Sequence, residues 1–121
     1  MTKILAVDDD KFVLSIIDRQ LKALGYSNVT TLADPLKALE LLASKPDGFD
    51  FLLLDLNMPE IDGIQFMRRL PEDFTGKIVI ISGEDDDVRD WSSKFGVRRN
   101  LQIIGQLPKP PKKEDLEELL G

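Results

Sequence analysis

The chain has 121 residues, 16 Lys+Arg against 22 Asp+Glu, a formal net charge of −6, and 42% hydrophobic and 31% charged residues. Those values suit one folded domain spanning residues 1–121 and lie far from the disordered class. The absence of Cys and His excludes disulfides, thiolate and imidazole metal sites, and Ser-His or Cys-His triads, so chemistry is left to carboxylates, hydroxyls, amines and backbone.

In chain order, short apolar runs alternate with helical patterns. Ile4 to Val7, Phe51 to Leu54, Ile78 to Ile81 and Ile103 to Leu107 around Gly105 read as strands buried on both faces, and Val29 to Leu32 reads as a weaker edge strand. Val13, Ile16, Ile17, Leu21 and Leu24 space a first helix that Gly25 stops. Leu36, Leu39 and Leu42 space a second, opened by Asp34-Pro35 and closed by Lys45-Pro46-Asp47-Gly48. A third runs from Gly63 to Leu70 before Pro71. Val88, Trp91 and Phe95 space a fourth that ends at Gly96 or Asn100, and Leu116, Leu119 and Leu120 space a fifth. Five strand-helix units predict an α/β doubly wound parallel sheet with helices on both faces and its binding crevice at the carboxyl ends of the strands.

Net negative charge and the lack of any Lys/Arg run longer than two residues argue against direct binding of nucleic acid or an anionic membrane. No apolar segment approaches the roughly 20 residues of a membrane span, and Ile4 to Val7 is too short for a signal peptide, which predicts a cytoplasmic location.

The strand ends concentrate chemistry: Asp8, Asp9 and Asp10 after the first, Asp55, Leu56, Asn57, Met58 and Pro59 after the third, Ser82, Gly83 and Glu84 after the fourth, and Pro108, Lys109 and Pro110 after the fifth. Clustered carboxylates repel one another unless a cation sits among them, and an all-oxygen set suits Mg²⁺. Asp55 at the end of an apolar strand can serve as a nucleophile toward phosphorus, with Lys109 and Ser82 neutralising the transferred group. A lone Asp after a strand is more often a turn or cap residue, and Asp10 is well placed simply to cap the first helix. Four strand ends together outweigh that explanation for Asp9 and Asp55. Pro110 restricts Lys109 to extended backbone, and a cis bond between them would let the turn aim the ammonium into the pocket.

Ile4-Leu5-Ala6-Val7-Asp8-Asp9-Asp10, Leu54-Asp55-Leu56-Asn57-Met58-Pro59 with Asp62-Gly63, Ile81-Ser82-Gly83 and Leu107-Pro108-Lys109-Pro110 resemble the receiver domains of two-component response regulators, over essentially the whole chain. The resemblance implies a flavodoxin-like five-stranded sheet of order 2-1-3-4-5 with five helices, and Asp55 as phosphoacceptor. It further implies Mg²⁺ held by Asp8, Asp9, Asp55 and the Asn57 carbonyl, Ser82 as switch hydroxyl and Lys109 as phosphate partner. Asn57 and Glu84 fall where the family modulates dephosphorylation. The implied partners are a sensor histidine kinase or phosphotransfer protein and a downstream effector domain or protein, and the implied activity is that of a switch and not an enzyme.

Two departures stand out: Gln106 occupies the position of the family's usual aromatic switch residue, and the stretch from Ser82 to Lys109 is longer than is common. Leu101-Gln102-Ile103-Ile104-Gly105 before the lysine is similar to receivers fused to EAL-type cyclic-di-GMP phosphodiesterases. Competing readings are an Mg²⁺-dependent aspartyl-nucleophile phosphatase, opposed by Asn57 where a second acid is needed, a flavodoxin-type FMN carrier, opposed by Asp8-Asp9-Asp10, and a receiver-like module that is never phosphorylated.

Overall fold

The structure, a computed structural model, describes residues 1–82 and 101–121. Its elements are β1 (Lys3–Val7), α1 (Lys11–Ala23), β2 (Asn28–Leu32), α2 (Pro35–Ser44), β3 (Phe51–Asp55), α3 (Gly63–Arg68), β4 (Lys77–Ser82), β5 (Gln102–Pro108) and α4 (Lys113–Leu120). The expected helix spaced by Val88, Trp91 and Phe95 lies outside the described residues, as do Gly83 and Glu84.

All strand pairs are parallel, in the order β2-β1-β3-β4-β5. This is the doubly wound arrangement expected from the alternation of apolar runs and helices. Strand side chains alternate between two cores, because successive residues point to opposite faces. Leu5, Val7, Leu52, Leu54, Ile78 and Ile80 pack with Ala38 and Leu42 of α2 and Phe66 and Met67 of α3. Ile4, Ala6, Phe51, Leu53, Val79 and Ile81 pack with Val13, Ile17 and Leu21 of α1 and Leu116 and Leu120 of α4. Burial on both faces explains why β1, β3 and β4 carry unbroken apolar runs.

The helices begin where side-chain oxygens satisfy their free N–H groups. Asp10 Oδ1 accepts from the Phe12 and Val13 amides at 2.9 and 3.4 Å, and Asp34 does the same for α2 ahead of Pro35. Asp62 and Gln65 form a reciprocal capping box at the start of α3. Gly25, at φ 99°, ends α1, with its own amide donating to Lys22 O and that of Tyr26 to Leu21 O.

β5 departs from the simple pattern. Ile78 pairs with Ile103 but Val79 pairs with Gly105, so Ile104 is an extra residue in the ladder. Gly105 leaves room for α4: a Cβ there would stand 2.8 Å from the Leu119 methyl carbons, which would have to shift to admit it.

Candidate functional site

The first, third, fourth and fifth strands deliver one side chain each to the same rim. Asp8 follows β1, Asp55 ends β3, Ser82 ends β4 and Lys109 follows β5. Asp8, Asp55 and Ser82 are 1%, 0% and 1% exposed, the only buried polar residues among those described, while Asp9 and Asn57 are exposed.

Backbone amides fix both buried acids. Asp8 Oδ1 accepts from the Asp10 amide at 2.8 Å, and Asp55 Oδ1 accepts from the Asn57 amide at 3.0 Å. The second oxygen of each turns to Lys109, whose Nζ lies 2.9 Å from Asp55 Oδ2 and 3.4 Å from Asp8 Oδ2. Apart from this ammonium, those two oxygens are buried without a hydrogen-bond partner among the described residues. The Lys109–Pro110 bond is cis, the isomer considered from the sequence.

Burial, reinforced by the charge of Asp8, pushes the Asp55 carboxyl up to about 7, although Lys109 and the Asn57 amide both pull it down. Burial opposes the charge on Lys109, but its hydrogen bonds and ion pairs with Asp55 and Asp8 outweigh that and raise its pKa.

A hard cation fits this donor set. Carboxylate oxygens of Asp8, Asp9 and Asp55 all lie within 4.8 Å of one another, and two of the three residues present buried oxygens lacking a hydrogen bond. Asp10 does not join them, because its carboxylate is taken up in capping α1. The cap explanation therefore holds for Asp10.

Ser82 lies one residue beyond Ile81, the ladder partner of Asp55, and opposite Pro108. Gln106 pairs with Ile80 and is half-buried. Gly63 holds the Asp55 loop against α3: its amide donates to Leu56 O at 2.9 Å, and a Cβ would meet Leu56 Cδ2 at 2.8 Å and Asp55 O at 3.0 Å. Sequence reasoning passed over Gln20, whose Nε2 donates to Pro111 O at 2.8 Å. The available signal was a polar residue four after Ile16 and three after Ile17, on the apolar stripe of α1.

The family model for the response regulator receiver domain matches residues 4–120, and the chain belongs to that family, the switch modules of two-component phosphorelay signalling. The two-component response regulator ARR11 of Arabidopsis thaliana is 32% identical, over 98% of this chain and 25% of its own length. The chemotaxis protein CheY of Treponema pallidum (strain Nichols) is 35% identical, over 66% of this chain and 56% of its own. Among solved structures, the chemotaxis protein CheY4 of Vibrio cholerae matches with a TM-score of 0.79 at 27% identity, over 99% of this chain and 96% of the other. The chain spans a quarter or less of the length of the Arabidopsis response regulators it matches. Among the described residues no helix is long and apolar enough to cross a membrane.

Proposed function

We propose that residues 1–121 form one receiver domain in which Asp55 accepts a phosphoryl group from a phosphohistidine of a sensor histidine kinase or phosphotransfer protein. The observation that carries this reading is the buried Asp55 carboxylate at the carboxyl end of β3, 2.9 Å from Lys109 and grouped with Asp8 and Asp9. One Asp55 oxygen forms a bond to phosphorus as the phosphorus–nitrogen bond breaks, and the released imidazole takes up a proton from solvent. The Lys109 ammonium and the Ser82 hydroxyl face the charge on the equatorial phosphoryl oxygens. Asp8, Asp9, Asp55 and the Asn57 carbonyl would hold Mg²⁺, which when bound offsets the charge shared by carboxylates and phosphoryl group. Asn57 also leaves the nucleophile without the second acid that a turnover phosphatase uses, in keeping with a switch in place of an enzyme. The modified domain then shifts population toward a form recognised by an effector domain or protein, in the cytoplasm.

The test is incubation with a small phosphodonor. Uptake of one phosphoryl group, dependent on Mg²⁺, stable in acid and labile in base, is expected in the wild type and absent from Asp55→Asn. Uptake at the wild-type level in that variant would reject Asp55 as acceptor.

A further inference from the structure

Lys109 must be held at its post by a segment poorly equipped to hold itself. Of Pro108, Lys109, Pro110 and Pro111, only Lys109 has a backbone N–H to donate. The helix that follows offers little more, because Lys112 is its N-cap residue and makes no side-chain cap bond. Beyond the end of β5 at Pro108 and the buried ring of Pro111, the hydrogen bonds that can anchor this stretch therefore fall largely to its carbonyls. The Pro111 carbonyl is taken by Gln20 Nε2 at 2.8 Å, a contact between residues 91 positions apart.

The anchor has a cost. Gln20 Oε1 is buried without a partner among the described residues, and an apolar side chain there would remove that orphaned oxygen only by leaving the Pro111 carbonyl without its donor. Its donor end rests on a firm support. α1 is seated on the sheet through Val13, Leu14, Ile17 and Leu21, and it begins at Asp10, whose amide in turn fixes Asp8 Oδ1. A single helix thus carries the acidic loop at one place and grips the lysine loop at another.

We propose that Gln20 is a positioning residue for Lys109: by holding the Pro111 carbonyl it fixes the segment from which the ammonium reaches Asp55 and Asp8. Where it concerns phosphoryl transfer, this inference rests on the function proposed above.

The test combines two donor-free variants, Gln20→Met and Gln20→Leu, with Gln20→Arg, which restores a donor of sufficient reach. Side-chain ammonium resonances are recorded on ¹⁵N-lysine-labelled protein at neutral pH, with the Lys109 signal assigned by its loss in Lys109→Met. Thermal midpoints and phosphorylation rates with a small phosphodonor and Mg²⁺ are measured in parallel. The donor-free variants should keep a folded thermal transition, lose or broaden the Lys109 signal, and be phosphorylated about tenfold more slowly, a loss in line with slight misplacement of a catalytic group. Gln20→Arg should recover the signal and most of the rate.

Retention of the Lys109 signal and rate without a donor would overturn the proposal. So would equal losses in all three variants, or failure of both donor-free variants to fold, since either result assigns Gln20 to packing alone. Should the wild type take up no phosphoryl group, the proposed function fails, while the ammonium signal still decides whether Gln20 positions Lys109.

Discussion

Lys109 Nζ reaches Asp55 Oδ2 at 2.9 Å although the strands that present the two residues, β5 and β3, are separated by the whole of β4. The lysine therefore bridges over the end of β4, where Ser82 sits, and converts three adjacent strand ends into one site. Removing this cation leaves the buried Asp8 and Asp55 with the backbone amides of Asp10 and Asn57 donating to them. In Lys109→Met, Mg²⁺ should bind at least as tightly as in the wild type, because a competing positive charge is gone. Phosphorylation should slow by about 10²-fold, as expected for loss of one preorganised charge at the transferring group. Calorimetric titration with Mg²⁺ and phosphorylation rates measure the two effects separately, and weakened metal binding would argue that the lysine supports the acids and does not compete for them.

Asp9 is the exposed member of the acidic trio. Its replacement in Asp9→Ala should reduce Mg²⁺ affinity about tenfold or more, the equivalent of roughly 1.4 kcal/mol per decade. The thermal midpoint of the metal-free protein should hold or rise, because one of several clustered negative charges has been removed. A midpoint that collapses while metal affinity is unchanged would make Asp9 a structural residue.

The position of Asp55 on the pH scale has a consequence for stability. Its carboxyl titrates at about 7 in the folded chain against the ordinary 3.8, so folding favours the protonated acid. That contribution is fully present below about pH 3.8 and is lost as pH rises through 7. Lys109, raised above its ordinary 10.5, holds its contribution constant across this window. The thermal midpoint of the metal-free wild type should accordingly fall between pH 4 and 8 by more than that of Asp55→Asn, and saturating Mg²⁺, which favours the ionised form, should shrink the difference. Parallel pH profiles for the two proteins would place the titration on another group.

Gly63 has no room for a side chain, since the nearest atoms to a Cβ include the backbone of Asp55 and Leu56. Gly63→Ala should cost about 1–3 kcal/mol, the usual range for overpacking, and should slow phosphorylation because the loop that moves is the one carrying Asp55 and Asn57. Chemical denaturation and transfer rates measured on the same preparation test the link. A destabilised variant with an unchanged rate would separate the packing from the site.

What could be read in the sequence follows from where the physics is local. Leu52, Leu53 and Leu54 announce a strand buried on both faces, so the carboxylate of Asp55 immediately after them is conspicuous. Asp34-Pro35 gives a helix start by hydrogen bonds that close within three residues. Long-range relationships are a different matter. Ile103 to Leu107 reads as one strand around Gly105, yet the ladder carries an extra residue at Ile104 that depends on pairing with β4, and Gly105 lies against Leu119 of a helix that packs there only in the folded chain. Asp10, by contrast, is local: the helix cap its position already suggests is the one its carboxylate makes with the Phe12 and Val13 amides. Gln20 resembles an ordinary polar interruption of an apolar stripe, and its meaning depends on Pro111, 91 residues away.

The most direct test of the central claim is to locate the modification itself. The phosphodonor-treated chain is reduced with borohydride, which converts an aspartyl phosphate to homoserine, and the digested peptides are mapped by mass spectrometry. Homoserine at position 55, formed only when Mg²⁺ was present during phosphorylation and at no other aspartate, is the expected result. Homoserine at Asp8, Asp9 or Asp10 with Asp55 intact, or a stable phosphoryl group on Ser82, would contradict the assignment of Asp55 as the residue through which this domain receives its signal.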